Sequence, residues 1–116
     1  MFSIKKLFSF SNKEVAFFFA NARILTSQRG LKLYTLKQLT ALENASFGKI
    51  LIITPRKSGN AIQRNLFRRR VKAIFYEDEL YKTTKTFALY AYKDGIALSH
   101  SEIKAFLHAH VGKFLS

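Results

Sequence analysis

The sequence has no cysteine, no tryptophan, one proline and only seven acidic residues among 116. Without thiols there is no disulfide framework, no thiolate metal site and no cysteine nucleophile, and a reducing cytoplasm is the expected setting. With so little proline and glycine, no linker divides the chain, and no repeat or low-complexity segment breaks it. One domain over residues 1–116 is therefore expected, with room for one hydrophobic core and not a second. Apolar residues make up 48% of the chain, which argues against disorder. Long apolar runs are also missing. The N-terminal MFSIKKLFSFSNKEVAFFFANA begins like a secretory signal, but Ser11, Asn12, Lys13 and Glu14 interrupt it before it reaches the length of a signal core or a membrane span.

The shortage of acid has its counterpart in 20 lysines and arginines, which give a formal net charge of +13. So basic a small domain points to nucleic acid or an anionic membrane as partner. The charge is concentrated. No acid occurs from Asn44 to Tyr76, and seven of the 20 basic residues lie in Arg56–Phe75, RKSGNAIQRNLFRRRVKAIF. Read as a helix at about 100° per residue, the second half of this stretch separates into two faces. Phe67, Val71, Ile74 and Phe75 share one of them, while Asn65, Arg68, Arg69 and Lys72 lie nearly opposite. Such a helix packs one side on a sheet and turns the other toward solvent or phosphate. A membrane-surface protein would need a broad exposed apolar face, which the core claims here, so no membrane partner is expected. Arg64 projects near the apolar face, in the first turns, where it can reach past the edge of the core. Ser58, Gly59 and Asn60 supply helix-start chemistry.

Elsewhere the chain alternates helical and extended patterns. Ser11 and Glu14 have capping-box spacing and start a first helix through VAFFFANA. Its consecutive Phe17, Phe18 and Phe19 point in three directions, so at least one must face a groove or solvent. Two readings stay open for them: two core residues with a third over the sheet edge, or a platform for stacking a base. A short strand near Ile24–Thr26 is followed by one in which Leu31, Leu33 and Thr35 alternate with Lys32, Tyr34 and Leu36. Thr40–Phe47 reads as a polar connection. Gly48–Thr54, GKILIIT, has the composition of a central strand buried on both faces, ended by Pro55. Thr86–Lys93 reads as a last strand, with Phe87, Leu89 and Ala91 on one face and Tyr90 and Tyr92 on the other. A final helix opens on a second capping box, Ser99 with Glu102, and carries Ile103, Phe106, Leu107, His110 and Phe114 at helical spacing.

Little in this pattern suggests an active site in the protein itself. Glu77, Asp78 and Glu79 are the one acidic cluster and read as solvated surface, with Lys82 as a partner. His108 and His110, two apart, fall on different sides of a helix, which disfavours a shared metal. Neither a Ser/His/Asp arrangement nor a phosphate-binding glycine loop emerges, so no catalytic residue and no protein-held metal is expected.

The central stretch does carry a resemblance. Arg56-Lys57, Gly59-Asn60-Ala61, Arg64-Asn65, Arg68-Arg69, Lys72 and Phe75 resemble the signature of the protein subunit of bacterial ribonuclease P. The resemblance implies an α/β (α+β) two-layer sandwich in the order αβββαβα, a four-stranded sheet with packed helices, and a left-handed crossover through the basic helix against the usual preference. It implies a ribonucleoprotein endonuclease in which a large RNA, with Mg²⁺ held mainly by that RNA, removes the 5′ leader of precursor tRNA. The protein would assist without cutting. Arg56, Lys57, Asn60, Arg64, Asn65, Arg68, Arg69 and Lys72 would bind the catalytic RNA, where arginine's planar fork suits phosphate. Phe19 and Tyr34 would line a leader cleft between the first helix and the open sheet face, together with Tyr90 and Tyr92, and Phe18 would belong to the core.

The chain departs from the family pattern in three places. Leu66 stands where an arginine is expected, and Arg70, near it on the helix wheel, is a candidate replacement contact. Val15 occupies a position that is often aromatic, and Tyr92 one that is often basic. The same charge and architecture would also serve a ribosome-associated or other structural RNA-binding protein with no role in cleavage. Bacterial and organellar settings both stay open.

Overall fold

The computed structural model describes residues 4–36, 48–83 and 86–111. Helix α1 spans Asn12–Asn21, followed by strands β1 (Ala22–Gln28), β2 (Leu31–Leu36) and β3 (Ile50–Ile53), helix α2 (Ala61–Glu77), strand β4 (Phe87–Ala91) and helix α3 (His100–His110). This is the αβββαβα order. Short 3-10 turns precede α1 and α2 and flank β4. The expected connection at Thr40–Phe47 lies outside the described residues, as does Phe114.

The strands form one mixed sheet in the order β1-β2-β4-β3, antiparallel except for the parallel pair β3–β4 that α2 connects. Period-two alternation decides its faces. Leu31, Leu33, Ile50, Ile52, Phe87, Leu89 and Ala91 point to one side, where they meet Phe67, Val71, Ile74 and Phe75 of α2 and Ile103, Phe106 and Leu107 of α3 in the main core. The apolar face read for the basic helix is therefore the one that is buried. On the opposite side, fully buried Phe18 of α1 packs on Ala88, bordered by Tyr34, Leu51 and Ile53.

Two expectations change. The apolar run around β3 is not a central strand: β3 pairs only with β4 and lies at the sheet edge. It is apolar on both faces because the main core covers Ile50 and Ile52 while the Phe18 cluster borders Leu51 and Ile53. Its edge is guarded by α2, where Arg68 Nη1 donates to the Ile52 carbonyl at 2.9 Å. The short strand near Ile24 is a seven-residue edge strand with a register shift between Ile24 and Thr26. That irregularity and the partial exposure of both faces blur the alternation that would have shown its length.

Helix starts follow their local chemistry. Ser11 with Glu14 and Ser99 with Glu102 each form both bonds of a capping box. A third box joins Asn60 and Gln63 at the start of α2, with bonds of 2.8 and 3.0 Å. The β1–β2 hairpin turns through Gly30, at φ +79°, and a side chain there would run into the backbone of Gly95. This close approach, with Tyr92 N–H donating to the Gly30 carbonyl at 2.9 Å, ties the end of β4 to the hairpin.

Candidate nucleic-acid interface

Among the described residues, the basic side chains of α2 form no ion pair. Every ion pair among the described residues uses a cation outside 56–77: Arg29 with Glu102, Lys49 with Glu14, Lys82 with Glu79, and Lys104 and His108 with Asp78. Even Asp78, which caps the end of α2, is paired from α3 by Lys104 and His108, so the helix keeps its positive field for a partner.

Within α2 the arginines differ in what holds them. Arg69 and Asn65 are exposed, and Arg64, Arg68, Arg70 and Lys72 are half-buried. Arg64 Nε donates to the Gly59 carbonyl at 3.2 Å and Arg68 Nη1 to that of Ile52, bonds that orient each guanidinium without neutralising its charge. Lys72 Nζ lies 5.6 Å from the centroid of Phe8. Arg70 Nη1 donates to the Leu98 carbonyl at 2.9 Å, so the residue considered as a substitute for the missing arginine at Leu66 braces the approach to α3.

The turn before α2 is built around close packing. Ser58 is buried and bonded through its hydroxyl to the Pro55 carbonyl. A Cβ on Gly59 would come within 2.7 Å of Gln63 Oε1, the atom that closes the capping box. Asn60, expected as an RNA contact, uses its side-chain oxygen to cap α2. Arg56 and Lys57 are exposed, and Lys57 faces the sheet side of the turn.

There Lys57, Pro55 and Ser58 meet Lys32, Tyr90 and Tyr92 around a cleft of about 410 Å³. Register explains the grouping: Lys32 of β2 and Ile53 of β3 both pair with Tyr90, so their side chains form one row on the face away from α2. Tyr90 and Tyr92 lie 6.0 Å apart between ring centroids, and Lys32 Nζ is 5.4 Å from that of Tyr92. In the next row, Phe19 of α1 meets Tyr34 edge-to-face at 5.8 Å. Phe19 stays 42% exposed and Phe17 43%, so only Phe18 of the triplet is a core residue.

The structure thus brings all four expected cleft aromatics to one sheet face, with Phe19 and Tyr34 beside the concavity that Tyr90 and Tyr92 line. It adds Lys32, whose alternation with Leu31 and Leu33 put it on the face of Tyr34 but whose neighbour Tyr90 depends on register. An apolar floor, flat rings and flanking lysines suit an unpaired strand: bases stack and phosphates find cations.

The acids and histidines have other work. The Asp78 carboxyl, read as solvated surface, accepts from His108 at 2.7 Å and lies 3.5 Å from Lys104, and this hydrogen bond and charge hold it below the usual carboxylate range. Glu14 is lowered by the Ser11 backbone N–H and then by Lys49. Among the described residues no three metal-ligating side chains converge. The paired carboxylates do not fit a Mg²⁺ site. No helix among the described residues is long and apolar enough to cross a membrane.

Comparison with known proteins agrees with this architecture. Two solved structures of the ribonuclease P protein of Staphylococcus aureus superimpose with TM-scores of 0.72 and 0.68 at 16% and 19% identity. The alignments cover 92% and 99% of this chain and 94% and 93% of theirs, a likeness of fold. Curated proteins give no sequence match. The family profile described as Ribonuclease P matches residues 11–115. That match spans the capped first helix, the sheet and the basic helix together, and the chain belongs to the ribonuclease P family as a protein component of that tRNA-processing ribonucleoprotein.

Proposed function

We propose that this protein docks on the catalytic RNA of ribonuclease P through α2 and the turn before it, and holds the single-stranded 5′ leader of precursor tRNA in the Tyr90–Tyr92 cleft. The observation that carries the reading is the division of labour between two surfaces. Cations with no ion pair among the described residues line a helix on one side of the sheet, while rings and lysines line an open groove on the other.

Arg56, Arg64, Asn65, Arg68, Arg69 and Lys72 take RNA phosphates, with Arg64 and Arg68 already oriented by their carbonyl bonds. Tyr90, Tyr92, Tyr34 and Phe19 offer stacking surface to leader bases, and Lys32 and Lys57 meet the leader's phosphates. The negative charge of the catalytic RNA and of the leader is thereby offset by lysines and arginines that form no ion pair among the described residues. Hydrolysis, with the Mg²⁺ that serves it, belongs to the RNA; the protein's part is to position leader and RNA relative to one another.

Reconstitution tests this. The purified chain, added to its cognate catalytic RNA at low Mg²⁺, is expected to accelerate 5′ cleavage of precursor tRNA and to cut nothing alone. An unchanged rate with correctly folded RNA refutes the proposal and leaves an RNA-binding protein with no role in cleavage.

A further inference from the structure

A second concavity lies away from the leader cleft, where the N-terminal segment crosses the C-terminal half of α2. It has a volume of about 440 Å³ and is walled by Lys5, Phe8, Ser9, Arg69, Lys72 and Tyr76. Its size falls within the roughly 300–1,000 Å³ of small-ligand sites. Three of these side chains are cations, none is an acid, and none of the three joins an ion pair among the described residues.

The rings are fixed in advance. Phe8 follows buried Leu7 and packs edge-to-face on Phe75 at 6.0 Å. Tyr76 is stacked on Tyr81 with planes 16° apart, yet 37% of its surface stays exposed. Rings already ordered lose little freedom when a ligand arrives. A duplex backbone meets convex cationic surface and has no use for aromatic walls. A base out of its stack needs those walls, and its phosphate needs the cations.

From this we infer that the pocket receives one unpaired nucleotide of the RNA that docks on α2, its base against Tyr76 and Phe8 and its phosphate on Lys5, Arg69 and Lys72. The inference rests on the RNA-docking reading of α2. It differs from leader binding, because the leader cleft opens on the other face of the sheet.

The test is a site-resolved NMR titration of the full chain with adenosine 5′-monophosphate, run beside inorganic phosphate. The nucleotide is expected to shift the amides of Lys5–Ser9 and Arg69–Tyr76. Tyr76→Ala should weaken that binding about tenfold and Tyr76→Phe should retain it. Lys5→Glu, at an exposed position, should weaken it as well and keeps the test open if Tyr76→Ala unfolds the chain. Equal shifts from phosphate alone would reduce the pocket to an anion site and overturn the inference. So would shifts confined to Lys32, Tyr90 and Tyr92. A parallel titration with the cognate catalytic RNA separates the two levels: RNA bound with the pocket amides unmoved refutes the pocket alone, whereas no RNA binding refutes the docking on which it rests.

Discussion

Arg69 and Arg70 are neighbours with the same charge in different surroundings, and a paired substitution can separate the roles proposed for them. Arg69 is exposed and makes no hydrogen bond to the protein among the described residues, so Arg69→Ala should leave stability within about 0.5 kcal/mol. If its guanidinium neutralises one phosphate, its loss should flatten the log–log salt dependence of RNA binding by about 0.7 to 0.9. Arg70 instead donates to the Leu98 carbonyl in a half-buried setting. Arg70→Ala leaves that carbonyl short of its charged donor, which costs about 1–2 kcal/mol after discounting for partial solvation. For a chain of this length the loss lowers the melting temperature by roughly 4 to 10 °C, while the salt slope changes by less than about 0.3. Thermal unfolding gives the first quantity, and RNA titration at four or more salt concentrations gives the second. A full one-phosphate change in slope for Arg70→Ala with an unaltered melting temperature would refute the assignment. Arg70 would then replace the arginine missing at Leu66.

Other perturbations probe the remaining parts. Tyr90→Ala or Tyr92→Ala should weaken binding of precursor tRNA by about 1–3 kcal/mol per stacked base and leave mature tRNA unaffected, as paired binding titrations would show. The Asp78 carboxyl is depressed below its ordinary value of 3.8, so its contribution to stability is present above that value and is lost as pH falls through the folded-state pKa. Asp78→Asn should therefore flatten the acid limb of urea stability, and an unchanged limb would rule out the His108–Asp78 contact as its source. Gly59→Ala forces a methyl toward Gln63 Oε1 and Ile96 Cγ2, at 2.7 and 3.3 Å, and should cost about 0.5–2 kcal/mol by disturbing the α2 cap, measured as a urea midpoint.

What the sequence showed was what local spacing determines. The boxes at Ser11–Glu14 and Ser99–Glu102 lie within one turn, and the buried face of α2 repeats at helical period, so both were legible from residue order. The α2 box was read only as general helix-start chemistry, because Asn60 with Gln63 departs from the Ser/Thr–Glu pattern. The edge position of β3 was not legible, since apolarity reports burial and not which strand lies alongside. Nor were the pairings that only register or tertiary packing creates. Lys32 meets Tyr90 across two strands, and Asp78 meets His108 from thirty residues away. Likewise Phe8 reaches Lys72 because Leu7 is buried in the core. Family resemblance pointed to Phe19 and Tyr34 and strand alternation to Tyr90 and Tyr92, but neither placed Lys32 or Lys57 beside them.

The turn at Arg56–Asn60 lies between the two proposed surfaces, and its construction bears on how they work together. Lys57 and Ser58 form one wall of the proposed leader cleft, while Asn60, next but one in the chain, caps the helix proposed to meet the catalytic RNA. Between them Gly59 is packed without room for a side chain, and buried Ser58 is tied to Pro55 at the end of the edge strand. A link so short and so closely packed cannot absorb a shift of α2 by flexing, because packed interiors move in discrete steps and not continuously. On the proposed function, docking of the helix would fix where Lys57 stands relative to Tyr90 and Tyr92, and the leader's path would be set by the same contacts that seat the RNA. This is why a change at Gly59 should disturb leader affinity and RNA affinity together, whereas a change at Tyr90, on the far side of the sheet from α2, should disturb leader affinity alone.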